Sequence, residues 1–162
     1  MDTKKVLLIT LIVVVIMASV SVVSAGFLDG LFGEQQKDNV NELDNIRFNT
    51  TNETDFEKFD NQSSKGHNYY FSDKNKITTI IKDYNKIEDA QQSKANTLKI
   101  KNDPTQIVNG VVIYAESVKT GKYIGEPRYG AIIENKDLNE DVILWSPDPN
   151  ETAKMALSLK FK

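Results

Sequence analysis

The stretch Asp141-Val142-Ile143-Leu144-Trp145-Ser146-Pro147-Asp148-Pro149-Asn150-Glu151-Thr152-Ala153-Lys154-Met155-Ala156-Leu157-Ser158-Leu159 places a strand and a helix back to back. Val142 to Trp145 is apolar at every position, so both of its faces expect cover and it belongs inside a sheet rather than at an edge. After it, Asp148 suits an N-cap, Pro149 the first helical position, and Glu151 falls three residues after the cap. Ala153, Met155, Ala156 and Leu159 give the helix a narrow apolar face, and Lys160 and Lys162 suit the negative end of its dipole. A helix burying that face on one side of a sheet is a two-layer α+β arrangement.

Working outward, Tyr129 to Glu134 pairs with Asp141 to Ser146 around the loop Asn135 to Glu140. Gln106-Ile107-Val108-Asn109-Gly110-Val111-Val112-Ile113-Tyr114 reads as a hairpin, because Asn-Gly supplies the two positive-φ residues of a type I′ turn. Further turns are expected at Thr120-Gly121-Lys122 and Gly125-Glu126-Pro127. His67 to Phe71 and Ile77 to Ile81 predict a second hairpin around Ser72-Asp73-Lys74-Asn75. Glu88 to Leu98 is poor in β-branched residues and predicts a short middle helix, ended by Asp103-Pro104. The expected fold is α+β: a mainly antiparallel sheet with the C-terminal helix and this middle helix packed on it.

The chain has 162 residues, 40% of them apolar and 27% charged, which suits one globular domain. Twenty basic against 23 acidic side chains give a net charge of -3, and that argues against a nucleic-acid partner. With no cysteine and a single histidine, disulfides, thiolate metal sites, cysteine nucleophiles and multi-histidine metal centres are excluded within one chain. No cofactor and no metal site is expected.

The beginning of the chain speaks of location. Lys4-Lys5 precede Val6 to Val23, 18 residues without a charge, and Val23-Ser24-Ala25 at its end puts small or β-branched residues at the -3 and -1 positions of a cut after Ala25. This is the pattern of a secretory signal cleaved after Ala25. The same run, about 27 Å long as a helix, also spans a bilayer core, so a retained anchor stays open beside cleavage. Residues 1–25 are thus read as signal peptide or membrane anchor. Residues 26–45 are an apolar patch (Phe27, Leu28, Leu31, Phe32) followed by a polar tether, and 46–162 are an exported domain. The expected location is the extracellular face or secretion, with the membrane as partner through residues 6–23 if the leader stays.

Asn109 to Tyr114, Gly125-Glu126-Pro127-Arg128-Tyr129, Ser146 to Ala156 and the opening Gly26-Phe27-Leu28-Asp29-Gly30-Leu31-Phe32-Gly33 together resemble small uncharacterised exported proteins of methanogenic archaea. The likeness covers about half of the chain and rests on a turn, a bend and a helix cap. It implies an envelope location and an α+β fold, and it transfers no activity and no functional residue.

The candidate chemistry is sparse. Four sequons, at Asn49, Asn52, Asn61 and Asn150, offer glycosylation acceptors; the first three lie in a polar stretch that tolerates a glycan, and Asn150 opens the last helix. Asp137-Leu138-Asn139-Glu140-Asp141 alternates oxygen donors like a calcium loop, but Val142 stands where the turn demands glycine, so a solvated hairpin loop is the expectation. His67 lacks a nucleophile and an oxyanion arrangement around it. No pair can be chosen among acids such as Glu116, Glu126 and Glu134 for carboxylate catalysis. Tyr123, Arg128, Tyr129 and Trp145 are the binding candidates, since aromatics beside an arginine stack on sugar rings or anchor an interface. Tyr114 and Trp145 also suit the packed sheet. The function that follows is a non-enzymatic binding or interaction module of the cell envelope, acting on an envelope protein or glycan. A small carboxylate hydrolase acting on wall or glycan and a structural envelope protein are the alternatives.

Overall fold

The computed structural model describes residues 38–162. The expected leader with its expected cleavage point, and the apolar patch around Phe27, lie outside the described residues. In chain order the elements are β1 (Asn39–Leu43), β2 (Ile46–Thr50), β3 (Glu57–Lys58), β4 (His67–Ser72), β5 (Ile77–Asp83), α1 (Ala90–Lys101), β6 (Gln106–Val108), β7 (Val111–Ser117), β8 (Pro127–Asn135), β9 (Glu140–Ser146), α2 (Pro149–Ser158) and β10 (Lys160–Phe161). They form an α+β fold of two antiparallel sheets, one of seven strands in the order β3-β4-β5-β9-β8-β7-β6 and one of three in the order β1-β2-β10.

The expected apolar central strand is β9, fourth of the seven, with every residue from Asp141 to Ser146 buried. Its two faces meet different partners. Val142 and Leu144 join Met155 of α2 and Ile46 and Phe48 of β2 in the larger core cluster, while Ile143 and Trp145 face Tyr114 and Ile100 of α1. Each of these large apolar side chains contributes about 1.5–3 kcal/mol on burial. The arrangement therefore exceeds the two layers expected from the sequence: α2 and the small sheet cover one face, and α1 covers part of the other.

Local signals explain the joints. Asn109 and Gly110 take φ of 49° and 81° in the β6–β7 turn, which only Asn, Asp and Gly adopt readily. In α2 the Asp148 carboxylate caps the helix by accepting from the Asn150 amide at 2.9 Å. Glu151 does not close the expected capping box; its carboxylate accepts from the Thr51 backbone amide at 2.9 Å and so ties the helix to the end of β2. Lys160 and Lys162 likewise do not serve the helix end, because α2 stops at Ser158, Lys160 enters β10 and Lys162 pairs with Glu42 of β1 at 2.8 Å.

The polar tether expected up to Asn45 ends earlier than its composition suggests, since Asn39–Leu43 is a strand of the small sheet. Two of its positions are exchanged: Val40 is exposed, while Asn41 is buried and donates from its amide to the Thr50 hydroxyl at 2.9 Å. A buried polar side chain is tolerated when it is hydrogen-bonded, and that exchange hides the strand from a hydrophobicity pattern.

Beneath α1 runs a row of ionisable groups. His67 lies opposite Lys82, Lys82 opposite Asp141, and Asp141 opposite Glu134, across four adjacent strands. Lys82 is buried and its ammonium donates to the Thr97 hydroxyl at 3.0 Å. The Tyr84 hydroxyl donates to Asp141 at 2.6 Å, and Lys101 of α1 pairs with Glu134. Burial pulls the Lys82 ammonium below its ordinary range, with Asp141 opposing the shift. The row pins α1 to one end of the sheet and leaves the other end of that face for a different structure.

Candidate functional site

The end of the sheet that α1 does not reach carries an aromatic cleft. Tyr69 and Phe71 are two residues apart on β4, so both point to this face. Phe59, in the loop after β3, meets them edge-on, with ring centroids at 6.4 Å from Tyr69 and 5.9 Å from Phe71. Tyr123, from the β7–β8 connection, tilts over Phe71 at 6.2 Å. These four rings help to line a cavity of about 580 Å³, within the roughly 300–1,000 Å³ usual for small-molecule sites.

The connection that delivers Tyr123 is closed on itself. The Val118 amide donates to the Glu126 carbonyl and the Gly125 amide to the Val118 carbonyl, each at 2.8 Å. Gly121 and Gly125 both take φ of 86°, a region that a side chain would make costly. The loop is therefore a shaped wall rather than a slack tether.

Ion pairs form the rim. Lys76 meets Glu126 at 2.6 Å and lies 4.5 Å from the Tyr123 ring centroid. Lys122 meets Asp73 at 3.0 Å, and the Tyr123 hydroxyl donates to the same carboxylate at 2.7 Å. That hydroxyl and then the Lys122 ammonium hold the Asp73 carboxyl below its usual range. Arg128 donates from Nε to Glu116 at 2.9 Å and stacks on Trp145 with its guanidinium carbon 4.6 Å from the ring. Lys119 reaches Glu116 only at 3.9 Å, with its side chain 80% exposed.

The four binding candidates separate. Tyr123 and Arg128 line the cleft. Trp145 is buried beneath Arg128 in the sheet and supports the site from below. Tyr129 is one residue from Arg128 and so points to the opposite face, where it packs with Ile113, Ala131 and Ala153; its carbonyl accepts from the Thr152 hydroxyl at 2.8 Å. Phe59, Tyr69, Phe71, Asp73, Lys76 and Lys122 complete the site and were not singled out from the sequence. For two of them a signal existed, the period-two spacing of Tyr69 and Phe71. Tyr114 packs beside Ile143 and Trp145, as its sheet reading expected.

The other motifs have plain positions. Asn52 and Asn61 are exposed outside the strands. Asn49 is half-buried within β2, its amide donating to Asp38 at 3.2 Å, and Asn150 is exposed in the first turn of α2. Residues 136–139 make the β8–β9 turn, while Asp141 belongs to β9 and accepts from Tyr84, so the acidic stretch is a hairpin loop running into a strand. Among the described residues no three His, Asp or Glu side chains are grouped so as to hold a metal ion.

His67 is half-buried at the start of β4, and burial, then the Lys82 ammonium, hold its imidazole below the ordinary value. Set beside protein-family models and beside curated proteins, the chain matches none of them.

Proposed function

We propose that this chain is an exported, envelope-associated binding module that holds its ligand in the aromatic cleft and leaves it chemically unchanged. The observation that carries the reading is the cleft itself: four rings from three separate segments, walled by a loop closed on its own backbone. Such a surface is preorganised, which lowers the entropic cost of holding a partner. The apolar run of residues 6–23, preceded by Lys4 and Lys5, supports delivery to the outside, either by release after Ala25 or by anchoring in the membrane. An envelope protein or a glycan is the partner class.

The hydrolase alternative draws less support. Carboxylate catalysis of glycosyl transfer needs one acid that keeps its proton, whereas Asp73, Glu126 and Glu116 are each tied to a cation. A purely structural role through lateral sheet pairing is disfavoured by short margins, since β3 has two residues and β6 three. Asn52 and Asn61 are proposed as glycan acceptors because both are exposed.

The test uses the mature chain, purified from a producing cell, and sedimentation with isolated envelopes. Wild-type protein should co-sediment, and Tyr123→Ala with Phe71→Ala should weaken this at least tenfold while circular dichroism stays native. Co-sedimentation indifferent to both substitutions refutes the cleft as the binding surface. Mass analysis of the same preparation reads the leader and the glycans together.

A further inference from the structure

We propose that the ligand of the cleft is an acidic saccharide, a run of sugar rings bearing carboxylates. The inference rests on the binding reading above and names its ligand class.

Two features select a polyhydroxyl ligand. The rim alternates donors and acceptors: the ammonium groups of Lys76 and Lys122 stand beside the carboxylates of Glu126 and Asp73. A hydroxyl group donates and accepts at once, so a sugar can satisfy both kinds. A lipid chain would strip water from these ion pairs and offer no hydrogen bond in its place, so their desolvation would go uncompensated. The rings of Tyr69 and Phe71 are half-buried rather than enclosed, which leaves aromatic surface for the C–H face of a pyranose. The Tyr69 hydroxyl also takes no hydrogen bond among the described residues and is available to a sugar oxygen.

Charge selects the acidic kind. Four cations line the cleft, Lys76, Lys119, Lys122 and Arg128, against the two carboxylates Asp73 and Glu126. Adding Glu116, which lies opposite Arg128 across the β7–β8 pair and is bound by it, still leaves an excess of one cation in a chain whose net charge is -3. The excess is local, and its least compensated member is Lys119. Its nearest carboxylate is 3.9 Å away and is already held by Arg128. A carboxylate on a bound sugar would complete that pair.

Calorimetric titration of the mature chain tests this with four probes: tetragalacturonate, a hyaluronan tetrasaccharide, neutral cellotetraose and tetraglutamate. Both acidic sugars should bind at least fivefold more tightly than cellotetraose, and tetraglutamate should not bind. Lys119→Gln, an exposed change that leaves the core untouched, should weaken the acidic sugars about fivefold and leave the neutral one unaltered.

Silence from both acidic sugars, equal affinity for cellotetraose, or binding of tetraglutamate as tight as theirs each overturns the inference. If the sugars fail while envelope sedimentation still depends on Tyr123 and Phe71, the saccharide assignment falls and the binding module stands. If sedimentation also ignores those substitutions, both fall.

Discussion

Replacing Gly130 by alanine should damage the sheet and the cleft together. Gly130 lies opposite Trp145 in the β8–β9 ladder, and the indole covers it so closely that an added Cβ would meet ring carbons at 2.5, 2.6 and 2.8 Å. No normal contact is that short, and the obstacle is a rigid ring within the core rather than a flexible chain end. The indole or the strand must therefore move. Overpacking of this kind costs about 1–3 kcal/mol, and loss of the Arg128 stack on the displaced ring adds about 0.5–1 kcal/mol. The expected loss is thus about 1.5–4 kcal/mol, or about 1–2 M in a urea midpoint. Trp145 is the sole tryptophan, so its emission reports both unfolding and the local change, and a red shift is expected in the folded variant. A midpoint within about 0.5 kcal/mol of wild type, with emission unchanged, would refute the packing argument.

Three further outcomes follow from other contacts. Asp148→Ala removes the α2 cap and should cost about 1 kcal/mol in chemical denaturation, and an unaltered midpoint would count against the cap. Tyr84→Phe takes away the donor to buried Asp141 and should lower stability by about 1.5–3 kcal/mol, measured in the same way. His67 titrates below its ordinary 6.5 in the folded chain, so the unfolded chain binds more protons between that lowered value and 6.5. Stability therefore rises with pH across this window, and the full cost is present below it. The thermal midpoint should fall from about pH 7 to about pH 5 and His67→Gln should flatten part of that slope; identical slopes would contradict the assignment.

What was legible in the sequence was what short-range chemistry dictates. Asn109-Gly110 announces its turn, Asp148-Pro149 announces the start of α2, and the unbroken apolar run of β9 announces a central strand. The site is assembled instead from residues between Phe59 and Pro147, and their meeting depends on strand order, which no local pattern encodes. One part was within reach. Arg128 and Tyr129 are neighbours on a strand, so the period of two already sends them to opposite faces. Trp145 was harder to place, because its role depends on Gly130 lying across from it. The strand Asn39–Leu43 stayed hidden because Asn41 takes the buried position that an apolar residue would normally mark.

The place of β9 governs the order in which the protein can be made. It is the seam between the meander β3–β5 and the meander β6–β8, and β10 sets Phe161 beside Ile46. Until residues 140–161 emerge from the ribosome, β5 and β8 each present a bare edge and the early hairpin β1–β2 lacks its third strand. Contacts so distant along the chain delay folding. Closure of the large sheet therefore waits for the C-terminal residues, and a product cut short before residue 140 would expose edges that invite aggregation.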